Sequence, residues 1–347
     1  MSSLYRYNSF GTGGTGNSLA LTSIPFEKMQ GLGNDFVVVA AADILKQPGG
    51  EAFLDSWRVN LPALSRALCD RRYGVGADGL ILIVDTKVAK ERVPVAAYPE
   101  IDKADIAWTY NNSDGSSSKM CGNGLRCAAL FARNRNLIAK ESFLIGTELG
   151  AIAVQFINEN EIVVDVGAPI LKPAQIPLAA VIGDKFVARR LPNHEAVATC
   201  VSMGNPHCVI FVDEKSAPAE PVIFPEEFLQ AAREIQALPL FPEGVNVEYV
   251  YVEDPRTARV FVLERGSGPT LACASGAAAT CVAGVLEGRL ERTTTVKLPG
   301  GPLKIEWSES DNRVKMIGPA AHCYKGVVEL DALGVALSKR ERSGVAG

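Results

Sequence analysis

The sequence has no apolar run approaching the roughly 18 residues that a membrane-spanning helix needs, so no membrane partner is expected. It has no Cys-x-x-Cys pair and only three histidines, His194, His207 and His322, so the usual ligand spacings of a metal site are missing and none is expected. A net charge of −4 lacks the positive excess that would draw nucleic acid. Eight cysteines in 347 residues are too sparse for a disulfide-stapled secreted domain. The N-terminus lacks the charged start and apolar core of a secretory signal, which leaves free thiols in a reducing cytoplasm as the expectation. Small polar or zwitterionic molecules remain as ligands.

What is present is a globular composition, 47% hydrophobic and 21% charged, in a chain long enough for two domains with separate cores. Residues 1–23, rich in Ser, Gly, Thr and Asn, read as a flexible extension. The rest repeats. Met120-Cys121-Gly122-Asn123-Gly124 is echoed 152 residues later by Ala272-Cys273-Ala274-Ser275-Gly276, each followed by helix formers. Earlier, Gly33-Asn34-Asp35-Phe36 and Gly204-Asn205-Pro206-His207 precede buried-type strands at an offset of 171, and Gly74-Val75-Gly76 matches Gly244-Val245-Asn246 at 170. The fall in offset places a surface insertion in the first copy at about 85–105.

Strand-type segments outnumber helices, and helices are expected over 51–69, 125–136, 225–236 and 277–288. The pattern predicts an α+β protein of two pseudo-symmetric domains, each a mixed or antiparallel sheet wrapped around a central helix, with the active site in the interdomain cleft. The expected divisions are 24–168, 169–318 near the Pro169, Pro173 and Pro177 cluster, and a C-terminal segment 319–347. That segment is expected to pack partly on the N-terminal domain, with a flexible tail.

Each cysteine of the repeat stands at a loop-to-helix junction, where N–H groups and the helix dipole favour a thiolate or hold a carboxylate. Gly122, Gly124 and Gly276 let the main chain approach a ligand closely. A single cysteine before a glycine reads as a core residue, as Cys127 and Cys281 do on the following helices. A matched pair instead suits a thiolate and a thiol on opposite faces of one α-carbon, one removing a proton and the other delivering one.

The chain resembles the diaminopimelate epimerase family from Phe26 to Gly318. The ordered motifs are Gly31-Leu32-Gly33-Asn34-Asp35-Phe36, Arg72-Tyr73-Gly74-Val75-Gly76-Ala77-Asp78-Gly79, Asn112-Ser113-Asp114-Gly115-Ser116, Cys121-Gly122-Asn123-Gly124-Leu125-Arg126-Cys127, Gly204-Asn205-Pro206-His207, Glu264-Arg265-Gly266 and Ala272-Cys273. The resemblance implies a cofactor-independent, PLP-independent isomerase that interconverts LL- and meso-2,6-diaminopimelate for lysine and peptidoglycan precursors, as a possible homodimer. It implies Cys121 and Cys273 as the acid/base pair and His207 and Glu264 as groups that position or activate them. Asn34, Asn112, Asn205, Asn246 and Arg265 would bind the distal head of the substrate. Main-chain groups of Gly122 and Asn123, and of Ala274 and Ser275, would bind the carboxylate at the reacting carbon.

Two other readings compete. A racemase of the same fold acting on a histidine-, proline- or hydroxyproline-like acid would have little use for the distal-head asparagines and Arg265. A redox sensor would need the thiols but not that cluster. The second loop departs from the family pattern at Ala274, where glycine is usual, and a Cβ there restricts the backbone if a positive φ is required. Pro269 and Gly244 also replace usual residues.

Overall fold

The computed structural model describes residues 21–86, 94–179, 181, 183–213, 226–330 and 333. Most of the N-terminal extension, residues 87–93 of the 85–105 excursion and nearly all of the C-terminal tail after 330 therefore lie outside the described residues. Leu21, counted with the extension, is buried, and the first strand already begins at Ser23.

The first repeat runs β1 (Ser23–Gly31), β2 (Asn34–Ala40), α1 (Ala41–Leu45), α2 (Gly50–Asp55), α3 (Trp57–Cys69), β3 (Gly79–Asp85) and β4 (Ile106–Asn112), then α4 (Gly122–Asn134), β5 (Ser142–Thr147), β6 (Gly150–Asn158) and β7 (Glu161–Gly167). After β8 (Arg189–Arg190) the second runs β9 (Val197–Ser202), β10 (Pro206–Val212), α5 (Glu226–Gln236), β11 (Asn246–Asp254), β12 (Thr257–Glu264) and β13 (Gly268–Pro269). It continues through α6 (Ala274–Leu286), β14 (Thr293–Leu298), β15 (Gly301–Trp307) and β16 (Val314–Gly318), before β17 (Ala321–Glu329).

The two copies share one pairing pattern. β1/β2 and β9/β10 are antiparallel, β2/β3 and β10/β11 parallel, β3/β4 and β11/β12 antiparallel, and β4/β5 and β12/β14 parallel. Antiparallel pairs β5/β6, β6/β7, β14/β15 and β15/β16 complete each set. The parallel pairs are those joined through helices, because a parallel neighbour needs a long crossover. Register corrects one sequence match. Phe36 faces Gly79 as His207 faces Asn246, so the counterpart of Asn246 is Gly79, not Gly76. Leu80 faces Asn111 as Val247 faces Leu263, which makes Asn112 and Glu264 equivalent ends of β4 and β12.

The copies differ most between their third and fourth strands. Asp85 and Ile106 are paired across the long excursion, whereas a short turn joins Val252 to Ala258. The last strands of the two repeats, β7 and β16, pair antiparallel and form the seam, and β17 returns to pair with β1.

Each sheet curls around its second long helix. α4 touches β1, β2, β3, β7 and β17, while α6 touches β9 through β12 and β14 through β16. A helix surrounded by strands must be apolar on every side, and all residues of α6 from Gly276 to Gly284 are buried. Both helices start about three residues earlier than the sequence suggests, with Cys121 and Cys273 as their N-caps. Packing overrides the low helix propensity of Gly122, Gly124 and Gly276. The helix expected over 51–69 is broken at Ser56, which ends α2 and caps α3.

Candidate active site

The two N-caps meet at the seam. A Cβ on Gly122 would stand 3.1 Å from the Ala274 Cβ and 2.7 Å from the Met316 Sδ, so the cysteine loops touch because Gly122 has no side chain. Ala274 is the first residue of α6 and is not among the described residues with positive φ. Its methyl group therefore carries no backbone strain; it fills the space that Gly122 leaves.

Cys121 has an extended backbone (φ −152°, ψ 106°), and its Sγ accepts the Gly124 N–H at 3.4 Å. The thiol reaches the Asn34 Oδ1 at 3.8 Å. Burial pushes the Cys121 thiol up to about 11; the Gly124 N–H opposes this, the Glu264 carboxylate adds to it, and the Arg126 charge lowers it. Cys273 lies near the Ser275 Oγ at 3.5 Å. Burial first, then Glu264 and Glu248, push its thiol well above the usual range. N–H groups of the first turn of any helix have no internal acceptor; in α4 the Gly124 N–H is taken by the Cys121 Sγ.

Asn34 is held at both ends. Its Nδ2 donates to the Asp78 Oδ2 at 2.7 Å, and its Oδ1 accepts from the Asn123 Nδ2 at 3.2 Å. Asn123 is buried and also donates to the Ala272 carbonyl at 3.0 Å, which ties the Cys121 loop to the residue before Cys273. Asn112 accepts from the Tyr110 hydroxyl and donates to the Ser116 Oγ, both at 2.9 Å. Asn205 stands 2.9 Å from the His207 Nε2. Asn246 is buried and engaged at both ends, donating to the Pro206 carbonyl at 3.1 Å and accepting the Arg265 N–H at 2.8 Å. It anchors the Arg265 main chain. The Arg265 guanidinium is exposed and donates to the Glu243 carbonyl at 2.6 Å. Gly244 clears its path, since a Cβ there would lie 2.8 Å from the Arg265 Cδ.

Glu264 accepts a hydrogen bond from the Thr270 hydroxyl, yet burial keeps its carboxyl above the usual range. His207 is fully buried and faces Glu248, not a thiol: Nδ1 lies 2.6 Å from the Glu248 Oε1. Glu248, Thr270 and Asp78 carry no role in the sequence reading. Glu248 is also fully buried, and its Oε2 has no hydrogen-bond partner among the described residues. His207 and Glu248 lie two steps apart in the β10/β11 register, a relation visible only once strand pairing is known.

No cluster of three His, Cys, Asp or Glu side chains suited to a metal gathers among the described residues, and none of their helices is long and apolar enough to cross a membrane. Two lobes of matching topology, each a sheet curled around one long helix, define a class of fold. It is shared with the crystal structure of a hydroxyproline epimerase from Agrobacterium vitis with bound trans-4-hydroxy-L-proline, at a TM-score of 0.57 over 89% of this chain and 93% of that one. At 12% identity that likeness is one of fold alone.

The family follows from sequence. The diaminopimelate epimerase model matches residues 26–172 and 199–323. The diaminopimelate epimerase of Desulfitobacterium hafniense is 42% identical over 312 residues, covering 88% of this chain and 98% of the relative. That of Heliobacterium modesticaldum is 40% identical over 312 residues, covering 88% and 99%. The chain belongs to the diaminopimelate epimerase family.

Proposed function

We infer that the chain interconverts LL- and meso-2,6-diaminopimelate by a two-base mechanism in the cytoplasm. The observation that carries this reading is the meeting of two cysteine-capped helix N-termini, one from each repeat, at a single seam. The first turns of α4 and α6, at Gly122, Asn123, Ala274 and Ser275, bind the carboxylate beside the reacting carbon. One thiolate removes the α-proton, whose electron pair stays on the carbon as the carbanion next to that carboxylate. The opposite thiol then delivers its proton to the other face, which inverts the centre and exchanges the roles of the two sulfurs. Burial lowers the fraction of thiolate but makes each thiolate a stronger base, as a weakly acidic C–H requires.

Glu264, whose charge pushes the Cys273 thiol up, favours keeping that thiol's proton. The His207–Glu248 pair supports the β10/β11 platform beneath α6 and holds Asn205. Asn34, Asn112, Asn205 and Arg265 surround the distal head, where Arg265 exchanges its carbonyl partner for a carboxylate that it can bind through two N–H groups. Asn246 supports Arg265 from behind.

Proton NMR of LL-diaminopimelate with the reduced enzyme in D2O tests the reading. Uptake of deuterium at the α-carbon together with meso product is expected. Exchange with proline or hydroxyproline but none with diaminopimelate would replace this substrate with a single-headed one.

A further inference from the structure

Arg126 is the one residue of the cysteine motifs whose charge the mechanism above leaves unused. It is fully buried, and among the described residues it has no ion-pair partner. Its Nε donates to the Pro319 carbonyl at 3.0 Å, its Nη1 to the Gly122 carbonyl at 3.4 Å and its Nη2 to the Asn123 Oδ1 at 2.6 Å. The guanidinium fits against Gly31 and Gly318, where a Cβ would stand 3.4 Å from Nη2 and 3.6 Å from Nε. Burying a guanidinium without a carboxylate is costly, and burial pulls that of Arg126 down to about 10, which leaves it charged at neutral pH. Two features of the site explain its retention.

The first is orientation. A carboxamide can point either end at a neighbour. Because Arg126 has only donors, it requires the Asn123 oxygen, and this turns the Asn123 NH2 toward the Asn34 Oδ1 and the Ala272 carbonyl. The second is asymmetry. At the repeat offset that relates Cys121 to Cys273, Arg126 corresponds to Ala278. Arg126 is bonded to the Gly122 carbonyl beside Cys121, whereas Ala278 brings no charge to the matching place on the helix that follows Cys273. Glu264 and Glu248 both push the Cys273 thiol up.

We propose that Arg126 is a positioning residue: its guanidinium fixes the Asn123 carboxamide that links the two cysteine loops, and its charge stands behind Cys121 alone, so that in the unliganded enzyme Cys121 ionises before Cys273. The proposal rests on the two-thiol reading above and assigns the sulfurs their resting roles. Cys121 is the base for whichever isomer presents its α-proton to the first domain.

The test needs no substrate for its first arm. The full-length reduced enzyme is alkylated with iodoacetamide across a pH series, and each cysteine peptide is quantified by mass spectrometry. The midpoint for Cys121 is expected below that for Cys273; a reversed order overturns the charge assignment. In Arg126→Met the Cys121 alkylation rate below pH 9, where the wild-type guanidinium is charged, falls about tenfold, while that of Cys273 stays put. An unchanged Cys121 rate overturns the proposal.

Arg126→Lys covers the case in which the methionine variant does not fold. It keeps the charge and loses the fork. The Cys121 midpoint is expected to stay, while kcat falls about tenfold with a smaller change in KM. Wild-type kcat in this variant overturns the Asn123 assignment. Failure of the epimerase reading itself would show separately, as wild-type enzyme that exchanges no α-proton of diaminopimelate yet still orders its two thiols.

Discussion

Ile81 and Glu248 occupy equivalent places beneath the two cysteine-capped helices. A Cβ on Gly124 would stand 3.3 Å from the Ile81 Cδ1, and a Cβ on Gly276 would stand 2.9 Å from the Glu248 Oε1. One scaffold thus sets an alkyl group under the first helix and a carboxylate under the second. The neighbouring strands match, with Phe36 in the first copy where His207 lies in the second. Geometry is duplicated and electrostatics are not.

That inequality has a stability signature. Glu248→Ala leaves His207 without its buried partner and should cost roughly 3–5 kcal/mol, the range for breaking a buried pair. Glu248→Gln keeps a hydrogen-bonding group and should cost less. Urea denaturation measures both, and equal losses would remove the charge from the explanation.

Either thiol should be indispensable. Cys121→Ala and Cys273→Ala are each expected to lower epimerisation by at least the roughly 10²–10⁴-fold typical of a lost general acid or base, with circular dichroism and melting temperature near wild type. Full turnover in either variant would be incompatible with two bases.

Gly122→Ala should act through contact between the lobes. The new methyl group meets the Met316 Sδ and the Ala274 methyl group, so the helix N-termini are pushed apart, at a stability cost of about 1–3 kcal/mol. A fall in kcat of about tenfold or more is expected from displaced reacting groups. Met316→Ala in the same chain should restore much of it. Failure of that rescue would locate the defect elsewhere.

Alkaline pH should weaken the fold before it limits the chemistry. Burial raises the buried thiols above their ordinary 9.0, to about 11 for Cys121 and Cys69 and about 12 for Cys281. Between pH 9 and 11 the unfolded chain has therefore released protons that the native state keeps. Unfolding free energy must fall with rising pH there, and below pH 9 this contribution is fully present. Replacing Cys281 with alanine should flatten the fall between pH 8.5 and 11 in urea titrations; an unchanged slope would assign it to other groups.

The repeat and its paired cysteines were legible because duplicated motifs at matched offsets survive in the chain as text. Phe36 and His207, or Cys121 and Cys273, need only be aligned. Glu248 was not legible, since Asn246-Val247-Glu248-Tyr249 reads as an alternating strand and nothing local shows that Glu248 meets His207 from an adjacent strand. Asp78 and Arg126 stood inside quoted motifs, but their work depends on what crosses the fold to reach them: Asn34 for Asp78, and Pro319 for Arg126. The Gly76 match failed by register, because glycine similarity cannot tell the turn before β3 from its first residue.

The β1/β2 hairpin ends in Leu32 and Gly33, both at positive φ (56° and 82°), as a two-residue turn of mirror type requires. Leucine pays about 1–2 kcal/mol for that backbone, yet its side chain is buried in the core of the other lobe with Leu298, Leu303 and Met316. Asn34, beside Cys121, is two residues away. A wide swing of the lobes would have to draw this leucine into water, a loss of roughly 1.5–3 kcal/mol. Leu32 therefore works as a detent between the lobes, set two residues from Asn34.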